Sequence, residues 1–107
     1  MSSLDEIFER MLEDFNPDKA QGLNATMQFD LTGEGGGQYY VNIYDGMADA
    51  GKGRADNPAM TVHVGAEDFK NIMNGQLNAM QAYMDGRMKV DGSLAVGMKF
   101  ITVFTVG

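Results

Sequence analysis

The 107-residue sequence contains no cysteine, no tryptophan and a single histidine, His63. Without cysteine it cannot form disulfides, iron–sulfur clusters or zinc–thiolate sites, and it has no thiol nucleophile. One histidine cannot build a histidine-rich metal site, and it would have to serve alone in any Ser–His–Asp triad. We therefore expect no catalytic residue, no bound metal and no cofactor.

Basic residues and long apolar runs are also scarce. Eight lysines and arginines stand against fifteen aspartates and glutamates, which gives a net charge of −7. Nucleic acid is not an expected partner, because phosphate backbones repel such a chain. A transmembrane segment is not expected either, since no run of about 18 apolar residues exists. Residues 1–6 lack the basic region of a secretory signal, so we expect a cytoplasmic protein.

The apolar residues that are present, 44% of the chain, suffice for one domain over residues 1–107. A helical period over residues 4–15 predicts an amphipathic helix. Alternation over residues 25–32, 38–44 and 60–64 predicts three strands, and residues 47–50 a short strand broken by Gly51. Helices follow around residues 69–73 and 77–84, with Asn78 as N-cap and Gly86 after the last turn, then a strand over 87–91. A last helix is expected from residue 94, with Ser93 as N-cap, although its β-branched tail over residues 101–104 fits either a helix or a strand. This order of elements is α+β.

Motifs that suggest chemistry have simpler explanations. The glycine-rich segment 33–37 joins two strands, whereas a phosphate loop would open a helix, so a hairpin turn is favoured. Asp45 and Asp49 fit no calcium loop, and solvation explains them. His63 lies on the polar side of its strand, and the sequence places no acidic orienting residue near it. We therefore interpret His63 as a surface histidine.

Methionine is unusually frequent, with ten residues. The periodicity directs seven of them inward: Met27, Met60, Met73, Met80, Met84, Met88 and Met98. Methionine is unbranched and polarizable, so it fills gaps in ordinary cores and also suits walls that repack around varied apolar ligands. Both interpretations stay open at this point.

Three segments resemble the sterol carrier protein 2 family, and in particular its small stand-alone prokaryotic members. They are Asn57-Pro58-Ala59-Met60-Thr61-Val62-His63-Val64, Ala66-Glu67-Asp68-Phe69 and the stretch from Asn74 to Lys99. Phe29-Asp30-Leu31 corresponds to the Phe-Asp-Ile of the family. Gln76 and Asp91 depart from the pattern, which has lysine there, and Gly97 replaces a larger residue and leaves space. The chain also ends without the peroxisomal tripeptide of animal members.

The resemblance implies an α+β fold in which helices cover one face of a mixed five-stranded sheet, with an apolar tunnel between the layers. It further implies non-catalytic binding and transfer of a fatty acid, a fatty acyl-CoA or a related lipid. The inward positions give the expected tunnel lining: Met27, Phe29, Val41, Ile43, Met60, Val62, Phe69, Met73, Leu77, Met80, Met84, Met98, Phe100 and Phe104. The terminal, apolar segment 100–104 is expected to be a weakly anchored lid.

A second class of function fits the same family. In this alternative the chain is a structural or accessory module with a filled core, and it docks on a partner enzyme, for example in lipid or quinone metabolism, without a ligand of its own. We expect a monomer or a weak dimer in either case. A lipid adduct in native mass spectrometry would favour the carrier.

Overall fold

Helices and strands follow one another in an α+β order in the computed structural model, which describes residues 4–104 apart from the side chain of Ile101. The elements are α1 (Leu4–Glu13), β1 (Ala25–Thr32), β2 (Gly37–Tyr44), β3 (Met47–Lys52), β4 (Met60–Gly65), α2 (Ala66–Met73), α3 (Ala79–Met84), β5 (Met88–Gly92) and α4 (Leu94–Val103). The tail over residues 101–104, for which both a helix and a strand were possible, is therefore helical through Val103. Within residues 4–104, no helix is long and apolar enough to cross a bilayer.

The strands form one mixed sheet in the order β3-β2-β1-β4-β5, which confirms the predicted architecture. Strands β1 and β4 are parallel, and the other neighbouring pairs are antiparallel. The parallel register places Phe29 opposite Val62 and Asp30 opposite His63. Helix α1 packs against the β3 edge, whereas α3 packs against β5 at the other edge and α4 against β4.

The ends of several elements follow from local sequence. Asp45 and Gly46 have positive φ of 50° and 76°, as a two-residue hairpin turn requires. The Asn78 side chain accepts a hydrogen bond from the Gln81 N–H at 3.0 Å, and Gly86 follows α3 with φ of 82°. These two residues therefore begin and end α3 as predicted.

Strand β3 differs from its prediction, because it continues through Gly51 to Lys52 instead of breaking at the glycine. Gly51 lies beside the Tyr40 ring of the neighbouring strand, and a Cβ at this position would overlap the Tyr40 hydroxyl group. The absence of a side chain at Gly51 therefore lets the aromatic ring cover the edge strand.

The main core lies on one face of the sheet, and all six phenylalanines take part in it. Phe8 is central, with ring centroids 5.4 Å from Phe29, 5.5 Å from Phe69 and 4.5 Å from Tyr39. Contacts through Phe29 extend the cluster to the remaining rings, Phe100, Phe104 and Phe15. The opposite face of the sheet is polar, so the two faces differ sharply in character.

Candidate functional site

The six strand residues predicted to line the tunnel lie buried on the core face of the sheet. Because side chains alternate along a strand, each strand contributes every second residue to this face. These residues are Met27, Phe29, Val41, Ile43, Met60 and Val62. Their predicted inward orientation is confirmed, and together they form a continuous apolar wall.

Aromatic rings lie in the space in front of this wall, where the resemblance implies a tunnel. Phe69 of α2 and Phe100 of α4 are both buried, and each ring centroid is 5.7 Å from that of Phe29. Phe104, which is half-buried, lies 4.6 Å from Phe100. Phe69, Phe100 and Phe104 thus lie inside as predicted, but as packed core residues.

The two depressions that stand out in residues 4–104 do not form an apolar tunnel between the sheet and the helices. One depression, of about 660 Å³, lies at the start of β1, the end of β2 and residues 57–59. A second, of about 450 Å³, lies where β1 ends and α2 begins, beside Glu34, Glu67 and Asp68. Both are open to solvent and largely polar in their lining side chains, so neither corresponds to the expected apolar tunnel.

The inward prediction is wrong for four of the methionines. Met73, Met80, Met84 and Met98 have 37%, 53%, 74% and 63% of their surface exposed. Leu77, which was predicted to be helical, lies just before α3 and is half-buried.

For Met80, Met84 and Met98, the reason is the phase of helices α3 and α4. Helix α3 buries only Ala82, so the face opposite it, with Met80, Tyr83 and Met84 at helical spacing, points outward. Helix α4 turns Gly97, Phe100 and Val103 inward, which leaves Leu94 and Met98 outside. We call the exposed set Met80, Tyr83, Met84, Leu94 and Met98 the methionine face.

Helix α4 rests directly on β4 through Gly97. Gly97 is buried, and a Cβ added there would lie 2.5 Å from the sulfur and 2.6 Å from the methyl carbon of Met60. The space that the sequence predicts at Gly97 is therefore taken by the Met60 side chain. A larger residue at position 97 would have to move the flexible end of the Met60 side chain.

The expectation that segment 100–104 is weakly anchored is wrong. Val103 is fully buried, and its carbonyl accepts a hydrogen bond from the Asn16 N–H at 3.0 Å. The Phe104 ring lies 5.5 Å from that of Phe15, which follows α1. The end of α4 is thus tied to the end of α1, whereas its beginning carries the exposed Leu94 and Met98.

A polar contact fixes the start of α1 to the sheet. The Tyr39 hydroxyl donates to the Asp5 carboxylate at 3.0 Å, and Lys52 Nζ lies 3.1 Å from the same group. The bond from Lys52, and then that from Tyr39, lowers the pKa of Asp5, while Asp5 raises the pKa of Lys52. Burial, followed by the bond to Asp5, raises the pKa of Tyr39.

His63 has acidic neighbours, although the residues around it in the sequence predict none. Its Nε2 lies 2.9 Å from Asp91 Oδ2, and its Nδ1 lies 3.5 Å from Asp30 Oδ2, where Arg54 also approaches to 3.5 Å. The cluster lies on the polar face of the sheet, away from the core. Within residues 4–104, no group of three or more acidic, histidine or cysteine side chains is arranged to hold a metal.

Comparison with known proteins connects this geometry to a family. The sequence model described as the SCP-2 sterol transfer family matches residues 4–105. The chain belongs to this family. It is similar to hydroxysteroid dehydrogenase-like protein 2 of Rattus norvegicus, with 25% identity over 104 residues, which are 96% of this chain and 20% of the relative. The chain thus spans only about a fifth of that protein.

Solved structures share the fold. Palmitated SCP2L2 from Aedes aegypti superposes with a TM-score of 0.79 and 23% identity, covering 98% of this chain and 96% of that one. The inverting sec-alkylsulfatase Pisa1 from Pseudomonas sp. gives a TM-score of 0.86 at 18% identity, over 99% of this chain and 17% of the sulfatase. The family fold therefore occurs both as nearly a whole chain and as part of a longer one.

Proposed function

We propose that this family member binds the alkyl chain of a lipid between the core face of its sheet and helices α3 and α4, and transfers or presents that lipid without catalysis. A fatty acid, a fatty acyl-CoA or a related molecule is the proposed ligand. The observation that carries the proposal is the unequal cover of the apolar sheet face, because α3 at the β5 edge buries only Ala82. Phenylalanines cover this face under α1 and α2, while its other end is bordered by the methionine face.

Membership of a sterol transfer family and the likeness to a palmitated protein support an apolar ligand. The proposed walls are the six buried strand residues with Phe69, Leu77, Phe100 and Phe104. Met73, Met80, Met84 and Met98, which are exposed in this structure, would border the opening. On this proposal the ligand enters beside α4 and separates it from β4.

A closed ligand-free state is what the energetics of cavities predict. A lipid cavity of about 300 Å³, the lower end of the usual range, would cost about 7 kcal/mol if left empty at about 24 cal/mol per Å³. Domains of this kind are stable by only about 5–15 kcal/mol. Phe100 of α4 packs against the sheet, and Met60 of β4 packs against α4. We therefore interpret this packing as the collapsed form of the site.

The ligand can offset the cost of opening. About 16 methylenes, at about 0.8 kcal/mol each, give about 13 kcal/mol on full burial. Loss of ligand motion and separation of α4 from β4 remove a large part of this gain.

Native mass spectrometry and titration with fatty acids of graded length test the proposal. We expect a one-to-one adduct, and we expect Phe100→Leu to shift the preference towards longer chains, because it enlarges the space beside Phe29. Phe8→Leu is the matched control, since it trims the same ring cluster under α1 and should leave chain preference unchanged. Absence of binding for every fatty acid would overturn the proposal.

One observation favours the second candidate, an accessory module. The phenylalanine cluster already fills the space under α1 and α2, and similar folds occur within longer chains. A module of this kind would purify without lipid, ignore fatty acids and retain one stoichiometric enzyme partner in a pull-down. A cytoplasmic location, a prokaryotic source and a monomeric or weakly dimeric state stay predictions.

A further inference from the structure

The methionine face is unusually apolar for an exposed surface. Met84 and Met98 have 74% and 63% of their surface exposed, and each lies beside another large apolar side chain of its helix. Helix α3 precedes β5 and packs against it, whereas α4 follows β5 and packs against the neighbouring strand β4, so both stripes belong to the half of the sheet formed by β4 and β5. Exposed apolar patches that are not scattered single residues mark contact sites.

The charge of the molecule is concentrated away from this face. Residues 5–56 hold eleven of the fifteen acidic and four of the eight basic residues, whereas residues 67–99 hold four of each. Helix α1, whose exposed positions are mostly acidic, packs at the β3 edge. Four strand spacings, about 19 Å, separate the two edges. This exceeds the screening length of about 8 Å at physiological salt.

We propose that the methionine face docks the chain on the interfacial zone of a phospholipid bilayer. The inference deepens the proposed function, since it identifies the surface at which lipid would be exchanged. Helix α1 is unsuited to this role because its outer face is acidic. The methionine face instead combines apolar side chains with Tyr83 and with the exposed Lys99 and Arg87, whose aliphatic stems can lie along lipid while their charges stay in water.

The charges around the face match a zwitterionic surface. Asp85 ends α3 and accepts a hydrogen bond from Gln81, while Asp68 lies 3.7 Å from Arg87. Bases and acids therefore balance near the contact, and apolar burial drives the association. Binding to phosphatidylcholine vesicles should be insensitive to salt. Binding to strongly anionic vesicles should be weaker at low salt, because the net charge of −7 is then poorly screened.

Single introduced tryptophans test the orientation, because the chain contains none. Met84→Trp places the probe on the methionine face. Met47→Trp is the matched control, since Met47 is 53% exposed on β3 at the opposite edge. With vesicles that contain brominated phosphatidylcholine, we expect the tryptophan emission at position 84 to be blue-shifted and quenched. The emission at position 47 should stay unchanged. Equal quenching at both positions, or none at either, would overturn the proposal.

Vesicle flotation measures the contribution of the face to affinity. Met84→Gln with Met98→Gln should weaken binding to phosphatidylcholine vesicles by roughly tenfold or more, whereas Met47→Gln should change it less than twofold. If wild type does not float but forms a dimer that Met84→Gln disrupts, the face is a self-association surface and the bilayer proposal is wrong. Titration with soluble fatty acid, without vesicles, tests the proposed function separately from docking.

Discussion

The two ends of the helical layer cover the sheet in different ways. Under α1 and α2, Phe8 and Phe69 pack against Phe29, and Asp5 adds polar contacts to β2 and β3. At the other end, α3 buries only Ala82, and α4 begins with exposed apolar residues. Rigid rings fix a surface, whereas flexible methionines adapt to it. The proposed function assigns stability to the first end and opening for the ligand to the second.

The largest expected difference lies in stability. Phe8→Ala should lower the free energy of unfolding by about 3–5 kcal/mol, because it removes contacts with three rings. Met84→Ala should change it by less than about 0.5 kcal/mol, since that side chain is mostly exposed. Urea unfolding of both variants checks the contrast. Equal losses would remove the distinction between the two ends.

The contact of α4 with β4 gives the next effect. Gly97→Ala gains about 1 kcal/mol of helix propensity, but the new methyl group must displace the flexible end of Met60, so we expect a net change in the free energy of unfolding of less than about 1 kcal/mol. Met60→Val should relieve the crowding, so the double variant should lose less stability than the sum of the single variants. Thermal unfolding of the wild type, the two single variants and the double variant completes this double-mutant cycle. Additive effects of the two substitutions would show that α4 does not rest on Met60.

The smallest effect concerns the polar contact of α1. The folded-state pKa of Asp5 is lowered, so its contribution to stability is present above the unfolded value of 3.8 and is lost as the pH falls further. The pKa of Lys52 is raised, so its contribution is present below 10.5 and is lost at higher pH. We expect Asp5→Asn to flatten both limbs of the stability–pH profile slightly. Asp49→Asn, on the polar face, should leave the alkaline part of the stability–pH profile, which depends on Lys52, unchanged.

Local patterns in the sequence predicted the strands, the turn at Asp45-Gly46 and the cap at Asn78, because each depends on neighbouring residues. The phase of α4 could not be predicted in this way. Its sequence is apolar on nearly every side, and the approach of Gly97 to Met60 decides which side faces the sheet. The surroundings of His63 were missed for a similar reason, since Asp30 is brought close only by the parallel pairing of β1 with β4.

Segment 100–104 illustrates the same limit. Its terminal position and apolar composition predicted a loose lid, but the long-range contacts of Val103 and Phe104 with Asn16 and Phe15 hold it in place. The buried strand residues of the candidate site were predictable, because alternation defines one face. The exposure of Met80, Met84 and Met98 was not, because a helix with apolar residues on two faces does not reveal which one is covered.

Hydrogen–deuterium exchange with and without palmitate tests the central claim most directly. We predict faster exchange in α3, β5 and the first turn of α4 than in α1 and β1 of the ligand-free chain. Palmitate should slow exchange in those three elements and leave α1 unchanged. Identical exchange with and without palmitate, or protection spread evenly over the chain, would contradict an opening at the methionine end.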